Sequence, residues 1–177
     1  MIISIEKARE LVSFPEGWSD EKVKMKLLAV EQTIRAYTNN NFQDRGYRIQ
    51  ADIVNGVLLS ESHVPFSDGD TVQISESQYN TGLYTVSIGD DQACTVSEQV
   101  RDELNVCVTK VVYPADVVAC CVNLLEWEVN NRSKVGIQSE TLSRHSVTYF
   151  NMGASEQIMG YPSSLLGCLR AYRKVRC

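Results

Sequence analysis

The sequence predicts an α+β protein: a helical module of about four helices plus a short strand, carrying an inserted small antiparallel β domain, either a sandwich or a barrel. Three observations carry this. Apolar residues recur at helical spacing from Ser4 to about Asn41 and again after Pro114. From about Gly46 the period changes to two, and β-branched residues alternate with polar ones. Within that stretch Asn55-Gly56, flanked by Ile53-Val54 and Val57-Leu58-Leu59, is a hairpin signal, because both turn residues tolerate positive φ. The expected boundaries are residues 1–45 and 114–177 for the helical module and 46–113 for the insert. At 177 residues and 44% hydrophobic the chain is long enough for one core plus a small inserted module.

Taken in order, Ser4 caps a first helix with Ile5, Ala8, Leu11 and Val12 on one face, and Phe14-Pro15-Glu16-Gly17 stops it. Ser19 caps a second. Asp20 and Glu21 suit the positive end of its dipole, and Val23, Leu27, Val30, Ile34 and Tyr37 form a buried stripe that ends near Thr38-Asn39-Asn40-Asn41. Lys22, Lys24, Lys26, Glu31, Gln32 and Arg35 read as its solvated face. Strands are expected over Tyr47 to Val54, Thr71 to Ile74, Leu83 to Ile88 and Val106 to Val112, with turns at Asp68-Gly69-Asp70, Asn80-Thr81-Gly82 and Gly89-Asp90-Asp91. Pro114 opens a third helix through Val117, Val118, Cys121, Leu124, Leu125 and Glu128, which Asn130-Asn131 ends. A polar stretch leads to a strand at Ser146-Val147-Thr148-Tyr149-Phe150, and Pro162 is expected to start a last helix running into a basic tail.

The charge is unevenly spread. Residues 168–177 hold Arg170, Arg173, Lys174 and Arg176 and no acidic residue, so with a net charge of -5 overall the rest sums to -9. The insert alone carries -7, from ten acidic residues against Arg48, Arg101 and Lys110. This polarity suggests a docking tail on an acidic body, and it argues against a protein that coats nucleic acid, which needs a basic face. The longest apolar run, Val117 to Val122, is far too short to span a bilayer, and the N-terminus acquires charges before a signal-peptide core forms. Synthesis in a reducing cytosol is the expectation. Cys94, Cys107, Cys120, Cys121, Cys168 and Cys177 lack CxxC and paired-His spacing, so they read as core fillers or free thiols, without zinc or a disulfide framework.

Chemistry-bearing motifs are scarce. His63 and His145 lie in no catalytic motif, and no phosphate-cradling glycine loop, GxSxG elbow or HExxH helix occurs. Asp68, Asp70, Asp90 and Asp91 lack the spacing of a Ca²⁺ loop and read as turn formers. The expectation is a non-enzyme without cofactor or metal. Among the aromatics Trp18, Tyr37, Trp127, Tyr149, Tyr161 and Tyr172, Tyr37 is expected in the core and Tyr161 to staple a helix entrance. Tyr172, between Arg170 and Arg173, fits an interface, where Tyr and Arg are enriched in hot spots.

Ala29 to Tyr37 running into Asn40-Asn41-Phe42 resembles the start of the head-tail connector (head completion or adaptor) proteins of long-tailed bacteriophages. Ser139-Glu140-Thr141-Leu142-Ser143 before Ser146-Val147-Thr148-Tyr149, then Gly160-Tyr161-Pro162 and Leu169-Arg170-Ala171-Tyr172-Arg173, is similar to that family's close. The resemblance covers about residues 4–42 and 114–173. Gly69-Asp70-Thr71-Val72-Gln73-Ile74 with Asn80-Thr81-Gly82-Leu83-Tyr84-Thr85-Val86 resembles small β insertions of phage structural proteins and departs from the mainly helical family pattern.

The resemblance implies a helical adaptor module and a virion protein of the phage neck, assembled in the host bacterial cytoplasm. It implies a homo-oligomeric ring, dodecameric in the family, that docks beneath the portal protein after packaging, extends the DNA channel and carries the stopper or tail-completion protein. DNA is then only cargo passing through, and no membrane is involved. Leu169, Arg170, Tyr172, Arg173, Lys174 and Arg176 are the expected portal-binding residues. The rival readings are a stopper or tail-completion protein of the same neck, and a ligand-binding β module whose edge is the Asn80-Thr81-Gly82 and Asp90-Asp91 loops.

Overall fold

The computed structural model describes residues 1–89, 93–96, 99–132, 139–142, 145–148 and 157–175. The chain divides into two compact units, one of Met1 with Asn41–Tyr113 and one of Ile2–Asn40 with Pro114–Cys177.

The first unit is a closed barrel of six strands: β1 Gln43–Val54, β2 Val57–Leu59, β3 Thr71–Ser75, β4 Gly82–Ile88, β5 Cys94–Val96 and β6 Glu103–Val111. They follow one another around the wall as β1-β2-β5-β4-β3-β6, every pair antiparallel, and β6 returns to β1. The period of two decides the core, since Ile49, Ala51 and Ile53, Val72 and Ile74, and Val106 and Val108 all point inward, joined by Leu58, Phe66 and Val86. β1 makes closure possible. It is twelve residues long, pairs with both β2 and β6, and shifts register against β6 between Asp44 and Arg48 and between Ala51 and Ile53. Such irregularities bend a strand and raise its twist, which lets a short sheet curl onto itself. Asn55 (φ 50°) and Gly56 (φ 79°) form the two-residue turn that sets Val54 opposite Val57.

The second unit is built on α1 Ile5–Leu11, α2 Asp20–Thr38 and α3 Ala115–Asn131. Ser4 and Ser19 cap the first two, their hydroxyls accepting from the Lys7 and Lys22 N–H groups. Val23, Leu27, Val30 and Ile34 are buried on α2, which packs on α3, where Val117, Cys121, Leu124 and Leu125 are buried. Leu166 and Leu169 complete that core. Among the described residues no helix is long and apolar enough to cross a membrane.

The expected fold is corrected. In place of a helical adaptor module of about four helices and a short strand carrying an inserted sandwich or barrel, the molecule is α+β and built around a closed six-stranded antiparallel barrel. Its described helices are three α-helices and one short 3₁₀ helix, Gly167–Tyr172. Pro162 starts no helix. Met159 (φ 53°) and Gly160 (φ 80°) form a second two-residue turn, and Tyr161-Pro162 (β10) pairs with Gln157-Ile158 (β9). The strand expected at residues 146–150 is one arm of a hairpin, β7 Ser139–Leu142 with β8 His145–Thr148, while Tyr149 and Phe150 lie outside the described residues.

Single residues differ too. Glu31, expected on the solvated face, is buried, because position 31 follows Leu27 by one turn and widens the stripe into a second lane with Thr38. Leu11, expected inside, is exposed, and Tyr37 is only half-buried. Tyr161 is buried against Trp127 with ring centroids 5.3 Å apart.

Candidate docking surface

The last described stretch of chain is fastened to the end of α2. Thr38 closes the helix by donating its hydroxyl to the Ile34 carbonyl at 2.7 Å, and Asn39 adopts the left-handed conformation (φ 48°) that turns the chain away. The carbonyls this leaves, and the side chains beside them, hold the C-terminal segment. The Lys174 N–H donates to the Thr38 carbonyl at 2.8 Å. The Asn39 amide donates to the Val175 carbonyl at 3.3 Å and the Asn40 amide to the Tyr172 carbonyl at 3.2 Å.

Side chains anchor the same segment. Leu169 is fully buried in the helical core. The Tyr172 hydroxyl donates to both oxygens of Asp116 in the first turn of α3, at 2.7 and 2.8 Å, and the carboxylate holds the phenol above its ordinary range. Arg173 lies over the Tyr37 ring, 5.2 Å from its centroid. Tyr37 thus supplies a platform for a cation as well as a flank to the stripe.

What remains open is a groove of about 480 Å³ lined by Tyr37, Asn39, Arg170, Arg173 and Lys174. Three cations face it, and among the described residues no carboxylate lines it. Cations at a helix C-terminus also match the negative end of the dipole. The arrangement suits an anionic group, and a guanidinium already placed over a ring has less rotamer freedom to lose when it meets a carboxylate.

The expected portal-binding residues therefore fall in three places. Arg170, Arg173 and Lys174 are exposed at the groove, Tyr172 is half-buried on Asp116, and Leu169 is interior. Arg176 lies outside the described residues. Two contributors went unread in the sequence, Tyr37 as the stacking platform and Asn39-Asn40 as the clamp. The Asn39-Asn40-Asn41 run did signal a helix end, but a helix end does not reveal which distant carbonyls its amides will meet.

Compared with models of known protein families and with curated proteins, the chain matches none.

The other residues singled out by sequence take up mainly structural positions. Asp70 accepts the Ser67 N–H at 2.8 Å and the Lys110 ammonium at 2.6 Å, and Asp68 accepts the Ile88 N–H at 3.0 Å, so both carboxylates stitch turns of the barrel. Asp90 and Asp91 lie outside the described residues. Asn80 is buried, exchanging hydrogen bonds with the Arg101 backbone at 2.9 Å in each direction and donating to Glu103, while Tyr79 beside it is exposed. Ser77 also donates to Glu103, at 2.6 Å, and this contact leads the hydrogen bonds that hold that carboxyl below the usual carboxylate range. His63 is exposed, and His145 belongs to β8. Among the described residues no group of three His, Cys, Asp or Glu is placed to hold a metal.

Proposed function

We propose that this chain is a head-tail connector of a long-tailed phage: a non-enzymatic ring subunit that docks on the portal after packaging, extends the DNA channel and carries the stopper or tail-completion protein. The observation that carries the reading is the C-terminal segment, which offers Arg170, Arg173 and Lys174 at one groove on a protein that is otherwise acidic. A docking element of this kind is pre-ordered, so binding does not have to order it first. Its charge contrast with the rest of the chain directs it to an acidic surface of the portal. A strongly acidic barrel unit is also suited to a particle through which DNA passes, because like charge discourages sticking.

The test is addition of purified protein to portal rings, followed by mass and by association kinetics at several salt concentrations. Wild-type protein is expected to add in ring stoichiometry. Arg173→Glu with Lys174→Glu is expected to slow association about tenfold or more and to flatten its salt dependence. Tyr172→Ala, which frees the segment from Asp116, is expected to speed dissociation and leave the salt dependence nearly intact. Association of the double charge reversal at the wild-type rate would remove the groove from the docking surface. Failure of wild-type protein to add to any portal ring would remove the function.

A further inference from the structure

The helical unit carries two thiols that docking does not use. Cys120 is buried in α3, and Cys168 is exposed in the 3₁₀ helix. Both donate to one acceptor, the Leu165 carbonyl oxygen, at 3.3 Å from Cys120 and 3.7 Å from Cys168. Two sulfurs bonded to one carbonyl oxygen are neighbours across α3 and the 3₁₀ helix, and rotation of the two side chains is the movement that brings them toward the bonding distance of about 2.05 Å. Cys121, although adjacent in sequence, is fully buried with Glu31 of α2 beside it, and Cys94 and Cys107 belong to the barrel unit.

We propose that Cys120 and Cys168 are a reversible disulfide site that locks the 3₁₀ segment, and with it Arg170 and Tyr172, onto α3. The co-reactant is a two-electron oxidant, a peroxide or a small disulfide. With hydrogen peroxide, the exposed Cys168 thiolate attacks one oxygen, the O–O bond breaks, hydroxide leaves and Cys168 becomes a sulfenic acid. Cys120 then gives its proton to solvent and attacks the Cys168 sulfur. The S–S bond forms as the S–O bond breaks, and water leaves. Two thiols lose two electrons and two protons, and the peroxide becomes two waters. Burial, then contact with Cys168, pushes the Cys120 thiol well above its ordinary range, which makes the second step the slow one.

A reducing cytosol keeps both thiols free, whereas a released particle meets an oxidising medium. The lock therefore closes after assembly. That timing rests on the virion reading, but the chemistry does not, and it is tested on the isolated chain.

Reduced full-length protein is treated with hydrogen peroxide or, separately, oxidised glutathione. Free thiols are then alkylated, and a non-reduced tryptic digest is weighed. Cleavage after Lys110, Arg132, Arg144 and Arg170 leaves Cys120 in peptide 111–132 and Cys168 in peptide 145–170. The expected product is these two peptides joined, two hydrogens lighter than the pair and split by dithiothreitol. It forms in monomeric protein and in Cys121→Ser, and it is absent from Cys120→Ala and Cys168→Ser. Closing this loop is expected to raise the Tm of the helical unit by about 5 °C or more, reversibly. The proposal is overturned if Cys168 is recovered as a glutathione adduct or a higher oxide while Cys120 remains alkylatable. It is equally overturned if Cys168 is found joined to Cys177 or to a second copy. Portal binding plays no part in this readout, so its failure and that of the docking reading are separable.

Discussion

Glu128 keeps a charge inside the helical unit. Its side chain is 5% exposed and accepts from Lys26 at 2.9 Å, from the Arg132 Nε at 2.9 Å and from the Tyr161 hydroxyl, while Arg132 also covers the Trp127 and Tyr161 rings. Burial opposes ionisation, but the donors and the Arg132 charge outweigh it and hold the carboxyl down to about 2. A depressed carboxyl stabilises the fold above its unfolded value near 4.3, and the benefit is lost as pH falls through the folded value. The helical unit is therefore expected to lose on the order of 3 kcal/mol between about pH 5 and 2, and denaturant melts across that window check it. Lys26 and Arg132 are about a third exposed and rehydrate when the acceptor is removed, so Glu128→Ala is expected to cost about 1.5–3 kcal/mol at neutral pH, measured by the same melts. Leu27→Ala, at a position 2% exposed, is expected to cost about 2–5 kcal/mol through lost transfer energy and a residual cavity. Val23, Leu27, Val30 and Ile34 were legible from spacing alone. Glu128 was legible as an inward-facing helical position but not as a paired charge, because Lys26 reaches it from 102 residues away. Glu31 was misread for a related reason: its charge marked the residue as solvated, and spacing, which sets the face, was the better guide.

At the scale of elements, turns were legible where two permissive residues stood between β-rich runs and hidden where a proline followed. Asn55-Gly56 falls in the first class. Met159-Gly160 falls in the second, since Pro162 reads as a helix start although it sits equally well at the edge of a two-stranded ladder. β5, three residues long, offered too short a run to show any period. Gly56 holds φ 79° with nothing near the place a Cβ would occupy, so Gly56→Ala is expected to cost about 1–2 kcal/mol from backbone strain alone, read by melting of the barrel. The basic segment was legible as a charge cluster but not as a fastened element. Leu169 is interior, so a truncation at residue 169 opens a cavity. A truncation that probes docking therefore belongs after Arg173, where the helical unit is expected to keep its far-UV circular dichroism while portal binding weakens.

For the whole molecule, the change of hydrophobic period near residue 46 and again near 114 was enough to predict where strand gives way to helix. Closure of the barrel was not legible, because it depends on register shifts in β1 that leave no compositional trace. The first residue of β1, Gln43, pairs with the last of β6, Val111, and the Phe42 and Tyr113 rings stand 5.0 Å apart, so the two ends of the barrel unit lie side by side. Replacing residues 43–112 with a short glycine-serine linker is therefore expected to leave a cooperatively melting, largely helical protein, and an unfolded product by circular dichroism would show that the helices depend on the barrel. The same pairing of distant segments sets an order of events on the ribosome. α2 leaves the exit tunnel with its stripe complete but without α3, whose first residue, Ala115, follows Thr38 only after the entire barrel has been translated. At about 5–20 residues per second that interval is roughly 4–15 s. The barrel can close as soon as β6 emerges, while the older helix still waits with Val23, Leu27, Val30 and Ile34 bare, which makes α2 the segment of the nascent chain that a chaperone would hold.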